Sequence, residues 1–225
     1  MPTKPHIQKR ATKSQIQAIK ALFLEHFQGA KTELVFSNDF ELLIAVMLSA
    51  QCTDKRVNLI TPRLFAQFPT PEALSKANIH SIKECIKTCS FFNNKAKNLK
   101  AMAQEICDKY NGEIPLDREI LKTLPGVGQK TANVVLIESK AANFIAVDTH
   151  VFRVSHRLGL SFASTPLATE ADLTRIFKDN LGTLHQAMVL FGRYTCKAIN
   201  PQCQTCFLSH LCKSKTRYRC NALAK

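Results

Sequence analysis

Hydrophobic residues follow the spacing of α-helices along nearly the whole chain, and no stretch shows the sustained alternation of a β-strand. Apolar residues between Ile16 and Phe27, for example, fall on one face of a helix predicted over about 14–28, with Gly29 as its stop. Because this period recurs from one end of the chain to the other, the sequence predicts an all-α fold.

Local signals place the other helices. A helix capped by Asp39 and running to Ala50 is apolar on almost all sides, which predicts a central position. Asp54 is predicted to cap the next helix, and Thr70 with Pro71 to begin a short one. Further helices are predicted over 79–88, 94–110, 117–123, 129–139, 149–158, 169–180 and 184–196.

The charge balance predicts a polyanionic partner. The 225 residues include 31 Lys and Arg against 17 Asp and Glu, a net charge of +14. Nucleic acid is the first candidate, and a basic but merely solvated surface is the alternative. No acidic residue follows Asp179. The basic residues beyond it, which create a positive field suited to phosphates, are Arg193, Lys197, Lys213, Lys215, Arg217, Arg219 and Lys225.

The apolar runs are short. The longest, Leu42–Leu48, has seven residues, whereas a membrane-spanning helix needs about 20. The first thirteen residues are polar and basic, so neither a membrane span nor a secretory signal is expected. The acid-free segment Met1–Lys20 is interpreted as a basic tail, with a disordered DNA-binding arm or an organelle-targeting signal as alternatives.

Four of the nine cysteines lie within seventeen residues, in the pattern C-x6-C-x2-C-x5-C. Such a density predicts a metal site, and from the spacing alone either zinc or an iron–sulfur cluster fits. The four are Cys196, Cys203, Cys206 and Cys212. The dispersed thiols are assigned no chemistry, and the first four of them are predicted to be small buried side chains: Cys52, Cys85, Cys89, Cys107 and Cys220.

The segment from Leu121 to Ala132 predicts two short helices joined by a glycine turn. Gly126 and Gly128 are expected to let the backbone turn and approach a partner closely, and the N–H groups that open the second helix could face a phosphate. A P-loop is excluded because Gln129 separates the glycine from Lys130. An ordinary helical hairpin is the remaining alternative.

Several segments together resemble the endonuclease III family of DNA repair enzymes. They are LPGVGQKTANVV at 124–135, VDTH at 147–150, LSAQCTDKRVN at 48–58, GRYTC at 192–196 and the four-cysteine spacing. The resemblance runs from about Phe36 to Cys212. It implies a helix-hairpin-helix glycosylase fold with DNA bound in a cleft between two helical lobes. One is a six-helix barrel at 32–142, with the hairpin at about 118–140. The other comprises 1–31 and 143–225 and holds one 4Fe-4S cluster on its cysteine loop, 196–212.

The same resemblance assigns roles to individual residues. Lys130 matches the family's nucleophile, and Asp148 matches its catalytic carboxylate, which could also cap the helix that begins at Thr149. Gln51 and Phe91 match residues that fill the gap left by an extruded base, although Phe91 stands where leucine is expected. The remaining DNA-binding predictions are Gly126, Gly128 and Lys197. His150 is predicted to be packed or hydrogen-bonded and not catalytic.

The implied function is that of a bifunctional DNA glycosylase and abasic-site lyase acting on oxidised pyrimidines. Its partner would be double-stranded DNA carrying damaged bases or abasic sites, with no membrane involved and with one chain acting as a monomer. A monofunctional glycosylase and a non-catalytic iron–sulfur DNA-binding module are the alternatives. A bacterial chain of this kind is expected in the cytoplasm at the nucleoid, and nuclear or organellar placement stays open.

Overall fold

A computed structural model of the protein describes residues 9–214. Eleven helices lie in this range, which holds no strand beyond a single bridge residue, so the all-α prediction is confirmed. The described residues divide into two compact units, Thr32–Ala142 and the combination of 9–31 with 143–214. Within 9–214 no helix is both long and apolar enough to cross a bilayer. Outside the described residues lie Cys220, the first eight residues and four of the basic residues named above, Lys215, Arg217, Arg219 and Lys225.

The unit Thr32–Ala142 is organised around a predominantly apolar helix, α2 (Asp39–Ser49). Its helices are α2 (Asp39–Ser49), α3 (Asp54–Gln67), α4 (Pro71–Ser75), α5 (Ile79–Ile86), α6 (Phe92–Tyr110), α7 (Arg118–Leu121) and α8 (Gln129–Glu138). Every side chain from Leu42 to Leu48 is buried, and α2 packs against α3, α6 and α8. The predicted central position of α2 is therefore confirmed.

Two of the predicted caps are wrong by one residue. Asn38 caps α2 and Thr53 caps α3, each accepting the backbone N–H three residues further on. Asp39 and Asp54 instead occupy the first turns, where a negative charge is favourable next to the positive end of the helix dipole. The cap at Thr70 is confirmed.

The second unit packs α1 (Lys13–His26), α9 (Thr149–Arg157), α10 (Pro166–Phe177) and α11 (Leu181–Tyr194) around an aromatic core. The Phe23 and Phe191 rings meet edge to face with their centroids 5.4 Å apart. Phe207, from the loop after α11, lies 5.3 Å from Phe191. This contact anchors the cysteine-containing loop to the helical core.

The helices α10 and α11 begin earlier than predicted. Thr165 caps α10 and Pro166 is its first residue. The start of α11 is held by Asn143, whose Oδ1 accepts from the Leu181 N–H at 2.7 Å. Because that partner lies 38 residues away in the chain, the sequence around Leu181 does not reveal this helix start.

Candidate functional site

The predicted glycine hairpin is present in the unit Thr32–Ala142, between α7 and α8. Gly126 has φ +80°, and a Cβ at this position would lie 2.8 Å from the Cβ of Asn98 on α6. The left-handed backbone favours glycine, and the close approach to Asn98 leaves no room for a side chain. The turn therefore packs tightly on α6, which fixes the start of α8.

Gly128 differs from what the sequence led us to expect. Its φ is −95°, and an added Cβ would meet nothing within 4 Å, so neither the turn nor internal packing requires a glycine. Gly128 immediately precedes the first residue of α8, and no side chain caps this helix start. The result is an open approach to the first N–H groups of α8, which suit an anion.

Lys130 is the second residue of α8, directly after this approach, and it is exposed. The hairpin thus presents an amine beside a place suited to a phosphate.

Gln51 and Phe91, in the same unit, have the same unusual backbone. Gln51 follows the last turn of α2 with φ +55°, and Phe91 precedes α6 with φ +58°. Both are exposed, Phe91 to 62%, so Phe91 is not part of the buried core. Phe92, its neighbour, is half-buried.

In the other unit Asp148 caps α9. Its Oδ1 accepts the N–H groups of His150 and Val151, both at 2.8 Å. The capping role considered from the sequence is confirmed. Because both bonds use Oδ1, the carboxylate is held in one orientation at the positive end of α9.

His150 is packed and hydrogen-bonded, as predicted. Its Nδ1 lies 3.1 Å from Nη2 of Arg153. Gly192 on α11 passes so close that a Cβ there would lie 2.8 Å from the Cβ of His150.

Arg153 is a site residue that sequence reasoning missed. Its guanidinium donates to the carbonyl of Gly192 at 2.7 Å and to that of Cys196 at 2.9 Å. Burial lowers the pKa of Arg153, although its ordinary value is so high that the charge persists. Arg153 therefore ties the helix capped by Asp148 to the first cysteine of the loop.

The four clustered cysteines line one partly open pocket, together with Arg157, Phe191 and Leu208. None of the cysteines within 9–214 forms a disulfide. Arg157 directs Nη1 at the Sγ of Cys196 at 3.4 Å and at the carbonyl of Lys197 at 2.7 Å. Arg157 thus places a cation beside Cys196, whereas burial raises the pKa of the Cys206 thiol.

The arrangement also bears on the metal that such a loop could hold. A zinc ion with Zn–S distances of about 2.3 Å needs sulfurs only about 3.8 Å apart by tetrahedral geometry. Within residues 9–214, no three His, Cys, Asp or Glu side chains are grouped closely enough to hold a metal ion. The four cysteine thiols line the same pocket, and four cysteine thiolates are the ligand set that a multi-iron cluster takes.

The dispersed cysteines in the described range follow their predicted character in part. Cys85 and Cys89 are buried, whereas Cys52 and Cys107 are half-buried.

Comparisons with known proteins agree with this geometry. Residues 44–179 match the HhH-GPD superfamily of base excision DNA repair proteins. Residues 196–212, which begin and end at a clustered cysteine, match the iron-sulfur binding domain of endonuclease III. The fold and the site thus define a helix-hairpin-helix base-excision repair protein with an iron–sulfur domain.

Individual relatives show which family within this superfamily the chain resembles. Endonuclease III of Rickettsia conorii is 43% identical over 198 residues, which cover 88% of this chain and 94% of the relative. That of Bacillus subtilis is 44% identical over 189 residues, covering 83% and 86%. A solved structure of a trapped endonuclease III–DNA covalent intermediate matches with a TM-score of 0.88 at 44% identity, covering 92% of this chain and 99% of that one.

The chain belongs to the endonuclease III family. It is accordingly a DNA glycosylase and abasic-site lyase, and its cofactor is one 4Fe-4S cluster. The non-catalytic binding module is thereby excluded.

Proposed function

We propose that this enzyme removes oxidised pyrimidines from double-stranded DNA and cleaves the strand 3′ to the resulting abasic site through an imine on Lys130. The observation that carries the proposal is the exposed lysine at the second position of α8, beside a helix start that suits a phosphate. The relative trapped as a covalent DNA intermediate supports covalent chemistry in this family.

DNA binding is assigned first to the hairpin. Gly126 and Gly128 would let a DNA backbone approach the N–H groups of α8. Lys197, exposed on the cysteine loop, would supply a further phosphate contact. Gln51 and Phe91 would enter the space left by the extruded nucleotide.

The Lys130 amine would act as the nucleophile. In its neutral form its lone pair attacks C1′, and the bond from C1′ to the base breaks as the base leaves with the electron pair and takes up a proton. The nitrogen gives one proton to the departing base, and its lone pair then forms the double bond to C1′. The C1′–O4′ bond breaks with its electron pair on O4′, which takes up a proton from solvent, and a protonated imine joins Lys130 to C1′. Removal of a C2′ proton then expels the 3′ phosphate, and hydrolysis of the imine releases the enzyme.

Asp148 would stabilise the positive charge that develops on the sugar as the base departs. Its capping bonds hold Oδ1, so we assign the electrostatic and proton-transfer role to Oδ2.

We assign the cluster to Cys196, Cys203, Cys206 and Cys212, and its role to shaping the loop that carries Lys197. The unit that contains 143–214 is accordingly proposed as the iron–sulfur domain and Thr32–Ala142 as the hairpin domain. These four thiolates would hold the iron atoms, and Arg157, next to the Cys196 sulfur, would offset part of their negative charge.

Borohydride trapping tests the proposal. A duplex with thymine glycol or an abasic site is incubated with the wild type, with Lys130→Ala, and with Lys97→Ala as an exposed-lysine control. A covalent adduct with the wild type and the control, and none with Lys130→Ala, is expected. Excision by the wild type without any adduct would favour the monofunctional alternative. An adduct with Lys130→Ala would show that Lys130 is not the nucleophile that forms the imine.

A further inference from the structure

Four non-glycine residues in the unit Thr32–Ala142 have a left-handed backbone, namely Gln51, Phe91, Asn111 and Lys140, and the first two lie in the turns next to α2 and α6. Gln51 has φ +55° between α2 and α3, and Phe91 has φ +58° between α5 and α6. This conformation is uncommon outside glycine and costs free energy, so the surrounding structure must impose it. Gln51 and Phe91 are the same residues proposed above to fill the DNA gap.

Lys95, in the first turn of α6, connects the two turns. Its Nζ donates to the carbonyls of Leu48 at 2.7 Å and Ala50 at 2.6 Å, at the end of α2. It also lies 3.2 Å from the Sγ of Cys89, a buried residue in the turn before Phe91. The carbonyls at a helix end lack intrahelical partners, and a cation is favourable there.

These contacts leave Lys95 no capacity for a DNA phosphate. An ammonium has three N–H donors, and three protein acceptors already surround this one. The side chain is half-buried, unlike that of Lys97 two residues later, which is exposed. The chain has a net charge of +14, and most of its lysines within residues 9–214 face solvent. Lys95 differs from those because its ammonium is bonded to internal acceptors.

We propose that Lys95 is a positioning residue: it locks the turns of Gln51 and Phe91 into one rigid pair, so that both side chains enter the duplex together. This assignment rests on the proposed function for what the two side chains do, but the locking itself does not. Arginine is not equivalent, because its planar guanidinium cannot direct three protons at acceptors that converge on one point.

Hydrogen exchange tests the locking without any DNA. The variants are Lys95→Met, Lys95→Arg and the matched control Lys97→Met. The amides of Cys52 and Cys89, which bond to Ser49 and Ile86 at 3.1 and 2.8 Å, report on the two turns. Both Lys95 variants should exchange faster at these amides while the interior of α2 stays protected. Unchanged exchange at both turns, or an equal increase throughout the unit, would overturn the proposal.

A comparison of two DNA substrates tests the consequence. In a duplex the abasic site must be extruded and the gap filled, whereas in a single strand there is no gap. Lys95→Met should slow single-turnover cleavage of the duplex by about tenfold to about a hundredfold. On the single strand its rate should stay within about twofold of the wild type, since the reacting groups themselves are unchanged. Equal losses on both substrates would refute a role through the turns.

A double-mutant cycle separates positioning from general destabilisation. When Gln51 and Phe91 are both replaced by alanine, Lys95→Met should have little additional effect on duplex cleavage, because residues that act through one another are not additive. A full additional loss would contradict the proposal. If the wild type gives no adduct with either substrate, the proposed function fails, and hydrogen exchange still decides whether Lys95 holds the turns.

Discussion

Arg157 should be the residue on which the cysteine loop most depends. It lies at the end of α9 with 8% of its surface exposed. Its guanidinium donates to the carbonyls of Lys197 at 2.7 Å and Ala198 at 3.3 Å, besides its contact with the Cys196 Sγ. Arg157→Met removes the charge and these donors while keeping most of the apolar stem.

The size of the effect follows from these contacts. A hydrogen bond from a charged donor contributes about 1.5–3 kcal/mol. Here one such bond is short and the others are long, so we expect a net loss of about 3 kcal/mol in the free energy that keeps the loop closed. If the iron leaves through an open loop, this loss raises the open population by about a hundredfold.

The assay is the rate at which the cluster-loaded protein loses iron to a chelator, followed by its visible absorbance. Iron release is measured in place of a free energy of unfolding, because unfolding with a bound cluster is not a two-state process. Proteins at equal iron loading are compared. Arg175→Met is the control, since Arg175 is 67% exposed and paired with Asp172 on the surface. Removal of such a pair should cost less than about 1 kcal/mol.

Arg157→Met should release iron about a hundredfold faster than the wild type. A rate within about threefold of the wild type would limit the effect to about 0.7 kcal/mol and refute this account of the loop.

Three further predictions follow from the described contacts. Asp148→Asn should keep the cap and stay within about 0.5 kcal/mol of the wild type in urea denaturation, whereas Asp148→Ala should lose about 1 kcal/mol. Both should lose base excision, and an active Asn variant would reduce Asp148 to a cap. Gly126→Ala should destabilise the fold by about 1–2 kcal/mol or more. Gly128→Ala should leave the melting temperature unchanged but weaken DNA binding. If Gly128→Ala lowered the melting temperature as much as Gly126→Ala, the open approach at α8 would be contradicted. The hydrogen bond from Lys20 at 2.6 Å lowers the pKa of Asp179. That pair therefore stabilises the fold above the ordinary aspartate value of about 3.9, and the contribution is lost as the pH falls through the lowered pKa. Asp179→Asn should lower the melting temperature at pH 7 and not at about pH 2, and a loss of equal size at both would refute the linkage.

Local signals explain the parts of the fold that could be predicted. The period of apolar residues shows which faces are buried, so the central position of α2 is evident from its run of apolar residues alone. The start of α4 is evident from two adjacent residues, the cap Thr70 and the first helical residue Pro71. Asp148 likewise caps the helix directly after it. Where the partner of a residue lies within about four positions, the sequence locates the helix start to within about one residue, as the caps Asn38 and Thr53 in place of Asp39 and Asp54 show.

Other features depend on partners that are distant in the chain. Asn143 holds the start of α11 from 38 residues away. Lys95 reaches Leu48 across 47 residues, and Arg157 reaches Lys197 across 40. Each of these cations resembles any other basic residue in a chain of this charge, so no local pattern distinguishes it from a solvated lysine or arginine.

By itself, the sequence determined the helical architecture, the glycine hairpin and the cluster of four cysteines, because these depend on residue period, backbone freedom and short spacing. Only the tertiary structure decided that Gly126 is required by packing whereas Gly128 is not. It also decided which charged side chains are committed to internal acceptors, since the folding of distant segments into contact determines whether a cation meets a carbonyl or the solvent.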